Sequence, residues 1–438
     1  MKTPTTCGDH VRRVSAARTR RRFLSQTAAG AVAAAGAWQV LPRKASARVL
    51  GANDRLGFAM IGCGGEGNYL LGLVQSLRDA GTAVEIVAVC DIYRPRLTRT
   101  ASRFGVKAAY SRHQDLLQDP AVDAVGIATP DHIHGGQVID AVRAGKDVYC
   151  EKPVTHWRQI DLTRRMTEEV RKSGRVFQLG TQYMSDPAWH KARELIVEGL
   201  IGRVVHVECG FFRVGDWGER GMPIDDPDAR PGPDLDWEAF LGDAPPRPFD
   251  ASRFFRWRMY EDYSGGPVTD LYPHAVTQAV YMAGLGIPEL VTATGGKLRY
   301  QEREVPDTFH LLADYPGQVT LSMVGTQAND HPGAPARAPS RAPVIRGWDG
   351  TITFEGSDIV FTPGPDVKDR PARRIPAGGD FDHAAHMADF LACCRTRKTP
   401  SCPIDLTFQV QTALQMAVQA WRAGRAARFD PASGKIVV

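Results

Sequence analysis

Short, mostly apolar runs alternate with stretches of helical period from residue 56 to residue 179. Residues 56–61 read as a buried strand, 62–67 as a glycine turn, and 68–80 as a helix with Leu70, Leu71, Leu73, Val74 and Leu77 on one side. The pattern repeats: strands at 84–90, 124–128, 147–150 and 176–179, helices at 94–104, 136–144 and 160–173. Apolar strands without an exposed face, each followed by an amphipathic helix, predict a doubly wound parallel sheet covered on both sides. After residue 180 the rhythm changes. One helix at 188–198 precedes period-two strands at 203–212, 290–300, 308–315, 318–325 and 351–354, and helices at 384–395 and 406–422 close the chain. That order predicts an α+β domain on a large, mostly antiparallel open sheet. Two stretches rich in Pro, Gly and charge, 220–248 and 330–346, read as long surface loops.

Charge changes the picture only at the start of the chain. The 438 residues carry 54 Lys+Arg and 49 Asp+Glu, but residues 1–47 hold nine of the basic residues and one acid, so the rest is net −3. A general nucleic-acid footprint is therefore not expected. The basic segment contains Arg20-Arg21-Arg22-Phe23-Leu24, then an Ala-rich apolar stretch, then Ala45-Ser46-Ala47. It resembles a twin-arginine signal peptide, which implies the Tat export machinery as a partner and a periplasmic or otherwise exported product. The expected domains are thus a 1–47 signal peptide, a 48–179 nucleotide-binding domain and a 180–438 substrate-binding and oligomerisation domain. The apolar stretch is too short for a membrane span, so no stable membrane insertion is expected. Eight cysteines lack zinc-ligand spacing, and Asp382, His383 and His386 lack a further ligand, so no metal is expected; a Cys394–Cys402 disulfide is one option in an oxidising compartment.

The candidate chemistry sits where the predicted strands end. Gly62, Gly64 and Gly67 form G-x-G-x-x-G between a strand and a helix, suited to a tight turn, a close approach of backbone to pyrophosphate, and helix-on-strand packing. Asp91 ends the next strand, where a carboxylate can accept from both adenosine ribose hydroxyls and repel a 2′-phosphate; this favours NAD, while Arg94 keeps NADP open. Later strand ends carry Thr129-Pro130-Asp131-His132-Ile133-His134 and Glu151-Lys152-Pro153, which should face the same crevice.

Together with Gly180-Thr181-Gln182 and Asp270-Leu271-Tyr272-Pro273-His274, these motifs make the chain resemble the Gfo/Idh/MocA oxidoreductase family. The resemblance implies Lys152 of an E-K-P motif beside the nicotinamide and the reacting carbinol, and Asp270 with His274 as a D-x-x-x-H motif on the second domain. It also implies a cofactor role for Glu151, Thr129, Pro130, His132 and His134, and a substrate-facing position for Gln182 and Tyr183. Chemically, His274 can serve as general acid/base, Lys152 as its partner at the carbinol oxygen, and Asp270 as the group that orients them. A satisfied structural histidine at 274 and an N-cap role for Asp270 stay open. Trp257, among Phe254, Phe255 and Tyr260, is a candidate stacking wall for a pyranose or an ordinary core residue.

The expectation is an exported NAD(P)-dependent dehydrogenase acting on the CH–OH group of a sugar or polyol. Because no obvious free nucleotide pool exists outside the cytoplasm, the cofactor should stay tightly bound. One alternative is an NAD-dependent glycosidase or lyase that oxidises its sugar transiently without net redox change. Another is a non-catalytic carbohydrate-binding protein. The large open sheet predicts a homo-oligomer.

Overall fold

The computed structural model describes residues 55–214, 222–331, 336–337, 340–367, 369–379 and 381–438. The expected signal peptide lies outside the described residues. In the first half the elements are β1 (Leu56–Ile61), α1 (Gly65–Asp79), β2 (Val84–Cys90), α2 (Arg94–Phe104), β3 (Ala108–Tyr110), α3 (His113–Gln118), β4 (Ala124–Ile127), α4 (Asp131–Arg143), β5 (Asp147–Glu151), α5 (Ile160–Ser173) and β6 (Phe177–Gly180). Among the described residues they form a six-stranded parallel sheet in the order β3-β2-β1-β4-β5-β6. The strand order reverses between β1 and β4, which opens a crevice at their carboxyl ends. Strand β1 is buried at every position, as its unbroken apolar run requires.

The second half contributes α6 (Pro187–Val197), β7 (Val204–Phe212), α7 (Trp237–Leu241), α8 (Ala251–Phe255), α9 (Pro267–Asp270), α10 (Pro273–Ala283), β8 (Leu290–Gly296), β9 (Thr308–Tyr315) and β10 (Val319–Thr326). It continues through β11 (Ala336–Arg337), β12 (Ser340–Gly347), β13 (Gly350–Glu355), β14 (Asp358–Pro363), β15 (Arg373–Ile375), α11 (His383–Thr396), α12 (Ile404–Ala423), β16 (Ala427–Asp430) and β17 (Lys435–Val437). Among the described residues, all of these strands share one sheet in the order β15-β14-β13-β12-β7-β10-β9-β8-β16-β17, with β11 beside β12. Only the β7–β10 pair there is parallel. In β9, Leu311, Ala313 and Tyr315 point into the core while Leu312 on the outer face is exposed. Helix α11 packs Met387, Phe390 and Leu391 into the core of the first sheet, so a cut at residue 179 separates it in sequence from the layer it covers.

Two expected surface loops turn out to be structural. Within 222–248, Leu235, Trp237 and Phe240 join Phe254, Phe255, Trp257 and Tyr263 in a buried aromatic cluster. The segment's many prolines and acids mask those widely spaced apolar residues. Within 330–346, β12 pairs with both β7 and β13. Its pairing with β7 shifts register between Arg341 and Val344, around Pro343, which breaks the period-two pattern that would have revealed it. The suggested Cys394–Cys402 disulfide is not formed: both thiols are free, and they lie in different core clusters.

Candidate active site

The crevice at the switch point is a cleft of about 530 Å³ whose lining includes Gly62, Gly64, Asp91, Thr129, Pro130 and Trp257. Gly62 adopts φ +97°, and a Cβ there would lie 2.5 Å from the Ala128 carbonyl oxygen. A Cβ at Gly67 would collide with the Gly62 carbonyl, whereas one at Gly64 would meet no protein atom. Glycine at 67 therefore serves helix-on-strand packing, and Gly64 leaves open backbone facing the cleft at the start of α1. Those are the requirements of a pyrophosphate cradle, so the loop fits a dinucleotide.

Asp91 lines the cleft and braces its floor. Its Oδ2 accepts from the Cys63 N–H at 2.7 Å and its Oδ1 from the Tyr93 N–H at 2.8 Å. Burial raises its pKa, opposed by the Arg96 guanidinium and these two backbone donors. Each oxygen retains a second lone pair for a ribose hydroxyl. Arg94 does not reach the cleft: it is 64% exposed and paired with Asp234, because its backbone is drawn to the 222–248 segment by the Arg94 N–H to Asp234 carbonyl bond. Arg96, one residue past Pro95, lines the cleft instead. It donates to Asp225 at 2.9 and 2.8 Å, and its guanidinium carbon stands 5.1 Å from the Phe255 ring centroid.

The two histidines after Pro130 part company. His132 lines the cleft, with Nε2 2.6 Å from the Phe240 carbonyl oxygen, and burial pushes its pKa down to about 4. His134 is not at the cleft wall. Its ring lies between the carbonyls of Pro153 (2.7 Å) and Thr129 (2.6 Å), tying together the loops that follow β4 and β5. Helical spacing places its side chain on the buried side of α4. Glu151 is also buried away from the cleft lining; it accepts from Gln182 Nε2 at 3.2 Å, and burial together with the nearby Glu66 raises its pKa well above the usual range. Glu151 and Gln182 thus brace the loop that carries Lys152.

The Lys152–Pro153 peptide is cis. Lys152 Nζ donates to the Asp270 carbonyl at 2.6 Å and to Asp270 Oδ1 at 2.7 Å, with side chains 11% and 6% exposed. Arg258 Nε donates to the same Oδ1 at 3.2 Å. Burial opposes ionisation of Asp270, but Lys152 and Arg258 outweigh it and hold the carboxyl below its ordinary range. His274, at the start of α10, has a buried Nδ1 without a hydrogen bond. Burial and the Lys152 charge push it well below its usual pKa, so its imidazole is neutral at pH 7 and able to take a proton. Asp270 lies at the end of α9 and is held by two cations rather than serving as a helix N-cap.

Trp257 lies in the cleft lining, buried in the aromatic cluster with the Arg258 guanidinium carbon 4.2 Å from its ring centroid. It is therefore a packed wall of the dinucleotide cleft and the support for Arg258. Sequence reading missed Arg258, whose only signal was its place next to that tryptophan. It named Asp131 only within its strand-end motif and gave it no role; the residue is buried among Arg258, Asp270 and Lys152, and burial raises its pKa well above the usual value. Asp382 caps α11 by accepting from the Ala384 N–H at 2.9 Å, and His386 Nε2 lies 2.9 Å from the Leu179 carbonyl oxygen, which accounts for both without a metal.

The family model for the oxidoreductase family with NAD-binding Rossmann fold matches residues 56–181, and the GFO/IDH/MocA C-terminal domain matches residues 239–353. The chain belongs to the Gfo/Idh/MocA family. This family member is 32% identical over 156 residues to scyllo-inositol 2-dehydrogenase (NAD(+)) of Bacillus subtilis, an alignment covering 35% of this chain and 44% of that protein. It is 30% identical over 185 residues to levoglucosan dehydrogenase of Pseudarthrobacter phenanthrenivorans, covering 42% of this chain and 39% of the relative. The matched stretch thus spans about two fifths of the length of these curated relatives. A solved levoglucosan dehydrogenase in complex with NADH and levoglucosan shares the fold, with TM-score 0.64 at 19% identity, over 86% of this chain and 99% of that one.

Proposed function

We propose that this Gfo/Idh/MocA protein is an NAD-dependent oxidoreductase that moves a hydride between the carbinol carbon of a sugar or polyol and the cofactor. The observation that carries this reading is the Lys152–Asp270 pair beside a depressed-pKa His274, where the strand-end loop after β5 meets α9 and α10. NAD, when bound, supplies the hydride acceptor. Lys152 has spent two of its three N–H bonds on Asp270, which aims the third at a substrate oxygen and stabilises developing alkoxide charge. Neutral His274 takes the hydroxyl proton. Asp270 fixes the lysine and is itself fixed by Arg258. Asp91 at the adenosine end supports NAD over NADP. The names of the relatives, an inositol and a levoglucosan dehydrogenase, support a polyhydroxylated substrate.

The same proposal includes export and a captive cofactor. The twin-arginine-like leader supports export. Retention is supported by a clasp from the second half of the chain onto the β2–α2 turn. Tyr93 Oη donates to Asp226 at 3.0 Å, Arg96 pairs with Asp225, and the Asp236 N–H donates to the Ile92 carbonyl at 3.2 Å. Asp236, Ala239 and Phe240 then line the cleft itself. We also assign self-association to the outer face of the large sheet, where Leu312 is exposed.

The test is to purify the protein without added nucleotide, denature it, and identify what is released by mass spectrometry, then to follow reduced nicotinamide absorbance with sugars and polyols. Near-stoichiometric NAD and sugar-dependent reduction are expected. A protein that neither carries nor binds NAD or NADP at millimolar concentration would sink the oxidoreductase reading. Sugar cleavage without net nicotinamide reduction would instead favour transient oxidation followed by elimination.

A further inference from the structure

Three glutamines stand one turn apart on α12, and all three direct their amide N–H groups at one irregular loop. Residues 152–159 form neither helix nor strand, so their carbonyls have no regular backbone partners. The Pro153 carbonyl meets His134 Nδ1 at 2.7 Å. Beyond it the donors come from α12. Gln411 Nε2 donates to the Thr155 carbonyl at 2.9 Å, Gln415 Nε2 to the His156 carbonyl at 2.9 Å, and Gln419 Nε2 to the Trp157 carbonyl at 3.4 Å. Gln415 Nε2 also lies 3.1 Å from the Thr155 hydroxyl oxygen and 3.0 Å from that of Thr163, and these two oxygens are 2.6 Å apart. Successive loop carbonyls are thus met by successive turns of a 20-residue helix. Stability alone does not call for this ladder. Gln411 and Gln415 are buried on a helix otherwise packed by Val410, Leu414, Ala417 and Val418, and Gln415 Oε1 has no hydrogen bond. A buried amide oxygen without a partner is unfavourable, so what singles out glutamine here is its donor end.

The same helix packs against α9, which ends at Asp270, with Val268 in the core they share. Helix α12 therefore touches both sides of the Lys152–Asp270 bond: it holds the loop that follows Lys152 and supports the helix that presents Asp270. We infer that Gln411, Gln415 and Gln419 are positioning residues that keep the Lys152 loop in register with α9, and so aim the ammonium at Asp270 beside His274. The part this plays in hydride transfer rests on the proposed oxidoreductase reading. A lysine side chain is long and flexible, and its head group is fixed only as well as the backbone that carries it. Reacting groups must be held to about 0.5 Å, and a misplacement of about 1 Å costs on the order of 10² in rate. An irregular loop reaches that precision only when its backbone polar groups are tied to a rigid element, and α12 supplies one tie per turn.

The experiment reads where Lys152 stands through the titration of His274, which needs no substrate. The charged and titratable groups acting on that ring are Lys152, Asp270, His383 and Arg213, and the Lys152 charge lowers its proton affinity. The full NAD-loaded protein, labelled with ¹³C-histidine, is titrated by NMR, with the His274 signal assigned by its loss in His274→Asn. Gln415→Met keeps the length of the side chain and deletes its donors. It should raise the proton affinity of His274 about tenfold, as Lys152→Ala does, and should add nothing in the Lys152→Ala background. A substitution that merely loosened the fold would leave the titration of the folded protein where it is. Gln415→Met that titrates as wild type does, or that shifts the Lys152→Ala protein by the full amount again, overturns the positioning role. Where Gln415→Met fails to fold, Gln411→Met, which deletes one bond, takes its place in the same cycle; if that variant also fails to fold or titrates as wild type, the ladder belongs to the core alone. Single-turnover nicotinamide reduction should fall about tenfold to a hundredfold in Gln415→Met with NAD affinity unchanged. A wild type that binds NAD but reduces it with none of a panel of aldoses, alditols and cyclitols, while His274 titrates as expected, removes the oxidoreductase reading and leaves the hold on Lys152 standing.

Discussion

Lys152→Ala separates catalysis from folding because its ammonium makes few but short contacts. The substitution deletes two charge-assisted bonds to Asp270, at 2.6 and 2.7 Å. Removing one member of a buried pair typically costs about 3–5 kcal/mol. Arg258 remains 3.2 Å from the same carboxylate oxygen, so the structure predicts a smaller loss, about 2–3 kcal/mol. Activity should fall further than this suggests. Loss of a charged donor at a developing oxyanion is worth roughly 10²–10³ in rate, and the misplacement of Asp270 adds to it. Lys152→Arg restores the charge but carries a planar fork in place of a point donor, so it should recover stability without recovering the rate. The assays are single-turnover formation of reduced nicotinamide, NAD binding by calorimetry, and thermal melting. A Lys152→Ala protein that binds NAD normally and turns over within about tenfold of wild type would refute the assigned role.

Neighbouring acids should respond oppositely to amide substitution. Asp131→Asn replaces a carboxyl whose pKa burial raises, so kcat should stay within a few-fold, whereas Asp270→Asn removes a carboxylate held by two cations and should cost about 10² or more; equal effects in steady-state kinetics would contradict the charge assignments. The acid limb of the kcat/KM profile should lie below the ordinary histidine value of about 6.5, because His274 gains its proton only at lower pH; a limb at or above pH 7 would exclude His274 as the base. Burial lowers His132 and His386 to about 4 and His156 to about 3. Their folded pKa values lie below the unfolded one, so the stability they carry is complete above about pH 6.5 and is lost as pH falls towards 4. Denaturant titrations should show each histidine contributing about 2 kcal/mol of loss between pH 7 and 5, and a flat profile would overturn the neutral-ring assignment. Asp225→Ala and Asp226→Ala remove the clasp on Arg96 and Tyr93 and should speed NAD release by about tenfold without altering hydride transfer in one turnover, as read by nucleotide-chase fluorescence; unchanged release would remove the clasp from the account of retention.

Most of the scaffold could be read directly because local pattern and tertiary demand agree in it. Strands β1 and β4 are buried at every position and carry unbroken apolar runs, and β2 departs from this only at Glu85 and the half-buried Val87, so periodicity detects all three. Where the two demands diverge, legibility fails. Strand β12 is a central strand, yet it contains Pro343 and adapts through a register shift. The 222–248 segment spaces Leu235, Trp237 and Phe240 among acids and prolines, and only their packing against Phe254, Phe255 and Tyr263 explains why those three are buried. Helix α10, nearly all buried, has apolar and small residues around most of its surface and so shows no amphipathic stripe to find.

The site divides along the same line. Residues whose function depends on backbone, Gly62, Gly64 and Gly67, are legible because only one residue type suits a positive φ, an open cradle or a helix packed against a turn. Residues whose function depends on distant partners are not. Arg94 and Arg96 differ by two positions on the first turn of α2, and nothing local decides which faces the cleft. The decision comes from Asp234 drawing one outward and Asp225 with Phe255 holding the other inward, more than 120 residues away. His132 and His134 repeat the case, one reaching the Phe240 carbonyl beside the cleft and the other bridging two strand-end loops. The clasp residues Asp225 and Asp226, and Arg258, belong to segments that the first domain's motifs do not predict. In this chain the dinucleotide cradle is written locally, whereas the bonds from Asp225, Asp226 and Asp234 that settle which side chains of the β2–α2 turn face the cleft are written in the second half and are read only when those segments have folded onto it.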